Sequence, residues 1–239
     1  MTSDGQIVLV PVKPSRKYRS CFKDFFIEEE GVISISIKSL TIIGSLVTTG
    51  YLLFIAYYAC YVRHDVNCEW KVRRPTISDI IMLPYYDRSW GIIVTFFSLT
   101  VQQSNIRAMY KRLHGIVPKG RNDLLFWIGF AMCISLPLTV VVDQGRWMNL
   151  HVFVATTFFI TTGFYCQMLS TLVYHRKDQF KADNTWITIM FWMSKSFIVL
   201  MIAMVIMDLF DFYGPLMEWL IGILFINFFF IASFKNPYY

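Results

Sequence analysis

Residues 124–142 read LLFWIGFAMCISLPLTVVV and contain no charged side chain. At about 1.5 Å per residue, a helix over this stretch is about 28 Å long, close to the thickness of the hydrocarbon core of a bilayer. A segment alone in lipid must satisfy its backbone hydrogen bonds internally, and a helix does so. This stretch therefore predicts a transmembrane helix.

Five other long apolar stretches occur, at 40–62, 89–108, 152–174, 187–207 and 216–234, and three of them contain a single charged residue. The whole chain of 239 residues is 56% hydrophobic and 16% charged, whereas soluble domains carry about 25% charged residues. A soluble enzyme of this composition would leave much apolar surface in water, which argues against that class. We expect an all-α polytopic membrane bundle of six transmembrane helices.

The distribution of basic residues predicts the orientation of this bundle. Thirteen Lys and Arg residues lie on the side of the N-terminal tail and six on the opposite, outer side. By the positive-inside rule both termini are predicted to be cytosolic. The expected organisation is a cytosolic N-terminal tail at 1–38, a six-span domain at 39–235 with an outer loop at about 63–88, and a C-terminal tail at 236–239. The net charge of +6 is thus attributed to topology, and no nucleic-acid partner is expected.

The cysteines suggest one disulfide and no metal site. Cys60 and Cys68 bracket the start of the outer loop and could pair in an oxidising compartment, although Cys60 could also remain within the first helix. Cys133 and Cys166 fall inside spans and are expected to act as small apolar residues. No Cys or His spacing typical of a metal site occurs, and no cofactor is expected.

Two ionisable residues on the outer side are candidates for chemistry. His151 opens the fourth span, and Glu218 lies one turn into the sixth. A carboxylate that orients an imidazole creates a general base suited to acyl transfer or hydrolysis, with Arg88 as an anion-binding group. No nucleophile elbow or HxxxxD box accompanies them. A structural or pH-sensing pair is the alternative.

The segment before the second span has its own pattern. Thr76 or Ser78 could cap a short interfacial helix that starts near Ile77, with Asp79 in its first turn. Aromatic residues up to Trp90 fit an interfacial belt. One interpretation is a loop that returns to the membrane anchored by aromatics. The other is a lid over an outer-leaflet cavity, in which these residues contact a lipid headgroup.

Polar side chains also occur in the cytosolic half of the spans. Lys195 lies well inside the fifth span, while Gln167 and Asn227 lie in the fourth and sixth. Polar residues in lipid usually face the bundle interior. They could line a site for a lipid headgroup or a substrate. Alternatively they join helices, with Lys195 held by amides and carbonyls or extending to the interface.

Several landmarks taken together resemble a known family. Cys68 in the outer loop is followed by a Pro-x-Ile-Ser-Asp element at 75–79, an aromatic start to the second span at Trp90, and a Glu-Trp pair at 218–219. This order is similar to that of the DRAM-type six-span family, over about residues 40–235. His151 after a short third loop is most similar to the branch of post-GPI-attachment-to-proteins factor 2. The loop departs from that branch, carrying Arg-Arg-Pro-Thr at 73–76 in place of Asn-Tyr-Leu-Pro-Ser.

This resemblance implies a multi-pass protein of the Golgi or endoplasmic reticulum that handles lipids, as in the lipid remodelling of GPI anchors, where a lyso-GPI lipid is reacylated. The plasma membrane and the lysosome are alternative locations. The implied partners are membrane lipids and a GPI-anchored substrate. The alternative function is a non-catalytic subunit or scaffold of a larger lipid-transfer or phosphoinositide-kinase assembly, a membrane-protein complex. Whether the protein is an enzyme stays open on the sequence.

Overall fold

The structure is a computed structural model, and it describes residues 26–29, 32–66, 68, 75–81, 83, 85–142, 145–179, 184–209 and 215–233. From Ser36 onward every regular element in these ranges is helical. A small antiparallel hairpin of β1 (Phe26–Glu29) and β2 (Val32–Ile35) precedes them, with Phe26 opposite Ile35. It falls in the segment predicted only as a tail.

The helices follow in chain order: α1 (Ile37–Tyr57), α2 (Ile77–Ile81), α3 (Asp87–Phe96), α4 (Gln103–Leu113), α5 (Lys119–Val141), α6 (Met148–Tyr174), α7 (Asn184–Leu209) and α8 (Pro215–Ser233). A π-helical segment, Tyr58–Val62, extends α1, and another, Phe97–Gln102, joins α3 to α4 without a break. Such wide turns inside helices frequently occur at functional sites.

Among the described residues, four helices are long and apolar enough to cross a membrane: Ile37–Val62, Lys119–Val141, Met148–Tyr174 and Asn184–Met207. They indicate an integral membrane protein. The other two predicted spans also form helices, but with different properties. The helix from α3 to α4 carries glutamines and an asparagine that lower its mean hydropathy. The apolar part of α8, Leu216–Ala232, is shorter than the four helices above.

The long helices pack into a closed ring. α5 packs on α6, α6 on α7, α7 on α8, and α8 on α1, while α3 and α4 pack on α5 and also contact α1. Helices joined by short connections run antiparallel. The C-terminal halves of α1 and α5 therefore meet the N-terminal halves of α3, α6 and α8 at one end of the bundle. This end also holds α2, and we call it the α2 end.

Aromatic side chains fill the middle of the ring. Phe225 on α8 lies 5.0 Å from Phe158 on α6 and 6.4 Å from Phe97, measured between ring centroids, and both pairs meet edge-to-face. Phe229, one turn further along α8, stacks on Tyr165 at 6.2 Å. Edge-to-face pairs contribute about 0.5–1.5 kcal/mol beyond the burial of their area. α8 is thus a central packing element as well as a member of the ring.

The face of α1 toward its neighbours is built from small residues. Gly44 lies so close to the Val101 side chain that a Cβ at this position would collide with it. Small residues let membrane helices approach closely, where dispersion and hydrogen bonds hold them. Asn105 on α4 takes part in this contact by donating from Nδ2 to Oγ1 of Thr41 at 2.6 Å. This packing joins α1 to α4 and to the π-helical segment before it, in the half of the bundle away from α2.

Candidate functional site

A cavity of about 100 Å³ lies at the α2 end, between α1, α2, α3, α5, α6 and α8. Four residues predicted from the sequence line it, from three helices and the short α2: His151, Glu218, Ser78 and Trp90. Apolar side chains form most of the remaining wall: Leu52, Ile77, Ile81, Val94, Phe97, Leu136, Ala155, Phe158, Phe159, Phe225 and Ile226. The cavity therefore combines an apolar interior with a few polar groups.

Two reciprocal hydrogen bonds cap the N-terminus of the short helix α2. Thr76 Oγ1 accepts the backbone N–H of Asp79 at 2.9 Å, and Asp79 Oδ2 accepts the backbone N–H of Thr76 at 2.8 Å. This reciprocal arrangement is a capping box. Of the two caps considered from the sequence, Thr76 takes the role. Asp79 is used within α2 and is not among the residues that line the cavity.

A helix of five residues does not persist on its own in water, and α2 is held by α8. Glu218 Oε1 accepts two hydrogen bonds from Ser78, one from the hydroxyl at 2.8 Å and one from the backbone N–H at 3.2 Å. The indole Nε1 of Trp219 donates to the carbonyl of Pro75 at 3.2 Å. Since Ile77 and Ile81 also line the cavity, α2 covers it. This geometry favours the lid over the simple anchored loop.

His151 lies in the first turn of α6 and is 9% exposed. Its Nδ1 is 2.9 Å from the backbone carbonyl of Val142, the residue that follows α5. A carbonyl can only accept, so Nδ1 carries the proton, and in the neutral ring Nε2 keeps a free lone pair. The carbonyl at the end of a helix has no partner within it, which makes this one available to the imidazole.

The predicted pairing of His151 with Glu218 thus has a different form. Both side chains line one cavity, but the hydrogen bonds described for Glu218 go to Ser78 and Thr76, both at the start of α2. The tautomer of His151 is set by a backbone carbonyl. The arrangement can supply a hydroxyl beside a carboxylate and an imidazole nitrogen able to accept a proton. These are the groups that acyl transfer uses.

Trp90 is positioned by α1. Its ring stacks on Tyr51, with centroids 6.4 Å apart and an interplanar angle of 9°. The hydroxyl of Tyr51 donates to Ser89 Oγ at 2.5 Å, so α1 and α3 are joined next to the cavity wall. Arg88 is exposed, and its backbone N–H contacts the side chain of the preceding Asp87. It does not line the cavity, and its predicted anion binding has no support from this geometry.

The rim of the α2 end is cross-linked. Cys60 and Cys68 form a disulfide with their Cα atoms 5.5 Å apart. Asp65 between them accepts the hydroxyl of Tyr86 at 3.0 Å and pairs with Arg63 at 3.1 Å. Burial, followed by the hydrogen bond to Asp65, raises the pKa of Tyr86 to about 12. The start of the outer loop is therefore tied to the chain just ahead of α3.

The polar residues of the opposite half do not reach this cavity. Gln167 on α6 accepts the hydroxyl of Ser194 on α7 at 3.5 Å, and Ser194 lies 2.6 Å from Ser170. These contacts join α6 to α7. They favour the helix-joining interpretation for Gln167.

Asn227 and Lys195 have local partners. Asn227 donates to the carbonyl of Ile223 in its own helix at 2.8 Å. The Nζ of Lys195 lies 5.2 Å from the ring centroid of Phe191, one turn away, within reach of a cation–π interaction. The hydrogen bonds described for the chain do not gather the three predicted polar residues into one site.

The sequence-based interpretation missed Thr48 and Thr139 of the cavity wall, as well as the backbone carbonyl of Val142 that bonds His151. Thr48 lines the cavity from α1 and belongs to a buried row with Thr41, Gly44 and Ser45. The spacing of three to four residues between these small residues is the sequence pattern that could have indicated a buried face of α1. The carbonyl of Val142 left no signal, because a backbone atom has no counterpart in the residue pattern.

Within the described ranges, no three His, Cys, Asp or Glu side chains group as a metal site would require. Cys133 and Cys166 are buried free thiols. Arg73 and Arg74, part of the loop compared with the factor 2 branch, lie outside the described residues. No protein family, curated protein or solved structure matches this chain.

Proposed function

We propose that this protein handles membrane lipids, and that the cavity at the α2 end receives a lipid with its polar part toward Ser78, Glu218 and His151. The observation that carries this proposal is the composition of the cavity wall, which is apolar except for a few polar side chains. Binding sites for small molecules commonly have this form, in which a small number of polar groups orient the ligand. The lid α2 would admit or retain the lipid.

The proposed topology has six spans with both termini in the cytosol. It is supported by the continuous helix from α3 to α4 and by α8, which complete the ring of four long apolar helices. It is also supported by the basic residues Lys111, Arg112, Lys119 and Arg121 at the end opposite α2. The α2 end then faces the lumen, where a disulfide such as Cys60–Cys68 persists.

The specific activity we propose is lipid remodelling of GPI anchors in the Golgi or the endoplasmic reticulum. This step rests on the resemblance of the loop, of His151 and of the Glu-Trp pair to the factor 2 branch of DRAM-type proteins. It is supported by the cavity, since three of these landmarks (Ser78, His151 and Glu218) line it. A GPI-anchored protein or its lyso-lipid would then be the substrate.

Complementation of cells that lack the remodelling factor tests this activity. We expect the wild-type chain to restore surface GPI-anchored proteins, and the double variant His151→Ala/Glu218→Gln to fail at equal abundance. His114→Ala is the matched control, because His114 is exposed at the opposite end of the bundle. Normal rescue by the double variant would eliminate the chemical role of the pair. Failure of the wild-type chain at normal abundance would eliminate the GPI assignment.

A second candidate function is that of a non-catalytic subunit. The observation that favours it is the surface of α7, whose membrane window is only 17% buried, against 28–39% for the other three candidate spans. Trp192, Val199 and Ile202 on this helix are exposed. Native purification in mild detergent distinguishes the two: a stoichiometric membrane partner supports the subunit, whereas a lone protein with acyl-transfer activity contradicts it.

A further inference from the structure

We propose that Ser78 is a nucleophile that accepts an acyl group from a lipid ester. The inference rests on the proposed lipid-binding function of the cavity and assigns the chemistry that takes place in it. The sequence pattern marked Ser78 as a candidate helix cap and as a contact for a headgroup, and no nucleophile elbow surrounds it.

The hydrogen bonding of Ser78 is that of a nucleophile beside its base. Its hydroxyl lies 2.8 Å from Glu218 Oε1, and both residues line the same cavity. A serine hydroxyl is a weak nucleophile unless an adjacent base takes its proton, and a distance of about 2.6–3.2 Å is the diagnostic geometry. Glu218 is therefore placed to act as that base.

The base is itself held in place. The backbone N–H of Ser78 donates to the same oxygen of Glu218 at 3.2 Å, and the next residue, Trp219, bonds the carbonyl of Pro75. These contacts fix α2 against α8 at the point where the hydroxyl meets the carboxylate. A base held in place beside the hydroxyl is part of the pattern expected for an activated nucleophile.

The hydroxyl of Ser78 is not required for capping α2. That role is filled by the reciprocal bonds of Thr76 and Asp79. If the serine served only to fasten the lid, its backbone N–H and the bond from Trp219 would already link α2 to α8. The additional hydroxyl strengthens this link, and it is also turned toward a carboxylate at an apolar cavity, where it is placed for chemistry.

The reaction balances without a redox partner. Ser78 Oγ attacks the carbonyl carbon of the lipid ester while its proton moves to Glu218. The bond from this carbon to the leaving oxygen breaks, and Glu218 returns the proton to that oxygen, which yields a lyso-lipid alcohol and an acyl ester on Ser78. A second lipid hydroxyl attacks this ester in the reverse sequence and regenerates the serine.

The remaining groups suit this use. The free Nε2 of His151 can accept a hydrogen bond from the incoming hydroxyl and orient it. The cavity of about 100 Å³ is smaller than the cavity of about 150 Å³ that holds one benzene. It therefore accommodates the ester and the first methylene groups, with the rest of the acyl chain outside it. Apolar walls exclude water, which would otherwise hydrolyse the acyl-serine.

The test uses the full chain in lipid nanodiscs and two probes. A long-chain alkyl fluorophosphonate reports the nucleophile through a covalent adduct located by peptide mass mapping. A phospholipid with a photoreactive acyl chain reports binding without reaction. We expect the adduct on Ser78, its loss in Ser78→Ala, and labelling slowed about 100-fold or more in Glu218→Gln, the range for removal of a general base. Ser196→Ala, a change at an exposed serine of α7, should label as the wild type does.

The two probes separate the inference from the function on which it rests. Photocrosslinking into the cavity that persists in Ser78→Ala, together with loss of the adduct, supports the inference and shows that the variant folds. Photocrosslinking of the wild type without an adduct on Ser78 overturns the nucleophile and leaves lipid binding intact. Absence of both signals overturns the lipid-binding function as well.

Discussion

The bond between α2 and α8 permits a quantitative prediction. Glu218→Ala removes the acceptor of two hydrogen bonds from Ser78, at 2.8 Å and 3.2 Å. Hydrogen bonds to charged groups contribute about 1.5–3 kcal/mol each, and the longer of the two belongs at the lower end of this range. The closed position of α2 should therefore lose about 3 kcal/mol, which is about 100-fold in the equilibrium between closed and open lid.

Hydrogen–deuterium exchange of the protein in nanodiscs measures this equilibrium. We expect the amides of residues 77–81 to exchange about 100-fold faster in Glu218→Ala, because exchange follows the population of the open state. Glu218→Gln should have a smaller effect, since its amide oxygen still accepts a hydrogen bond. Peptides from the middle of α6 serve as the internal control, and His114→Ala serves as the control variant.

Two results would refute this reasoning. Unchanged exchange of residues 77–81 in Glu218→Ala would show that the carboxylate does not hold α2. Equal acceleration in α6 would show a loss of stability of the whole bundle instead of an opened lid. The bond from Trp219 to Pro75 and the burial of Ile77 and Ile80 remain in the variant, so α2 should open without the bundle unfolding.

Three further predictions concern stability. Cys60→Ser/Cys68→Ser removes a cross-link between residues with a sequence separation of 8. Chain entropy predicts that the free energy of unfolding falls by about 2.5 kcal/mol. The Tm in detergent should therefore be lower, and an unchanged Tm would contradict this prediction. Phe225→Ala removes a ring from the aromatic cluster and should lower the free energy of unfolding by about 3–5 kcal/mol. Thermal unfolding measures this loss, and Phe164→Ala, at an exposed ring, is the control. The pKa of Tyr86 is raised to about 12 in the fold from about 10 in the unfolded chain. Its contribution to stability is therefore complete below about pH 10 and is lost as the pH rises toward 12. Tyr86→Phe should weaken this alkaline loss in a pH series of unfolding curves, and an identical pH profile would contradict the raised pKa of Tyr86.

The predicted spans agree with the helices over most of their length, since the spans came from a strong signal. A stretch of about twenty apolar residues in lipid has to form its backbone hydrogen bonds internally, and a helix does this independently of the neighbouring segments. The boundaries shifted by a few residues, as at α6, which begins at Met148 instead of near residue 152. Helix ends depend on caps and on the local chain path, which weaken the pattern there.

The candidate site was foreseen in part. His151, Glu218, Ser78 and Trp90 were selected individually, and the structure brings them to one cavity. Their pairing differed from the expectation: Glu218 bonds Ser78, and His151 bonds a carbonyl. Pairing depends on how helices rotate about their axes and slide along one another, and the spacing of residues within a helix carries no information on either.

The sequence by itself determined the membrane class, the helical segments and the polar residues that occur within them. These follow from transfer of side chains and backbone between water and hydrocarbon, which acts on each segment separately. Only the tertiary structure decided that α8 fastens α2 through Glu218 and Trp219, and that Lys195 stands apart from the cavity. Hydrogen bonds reach only about 3 Å, so these contacts exist only after the packing of the ring has fixed the distance between residues up to 144 positions apart in the chain.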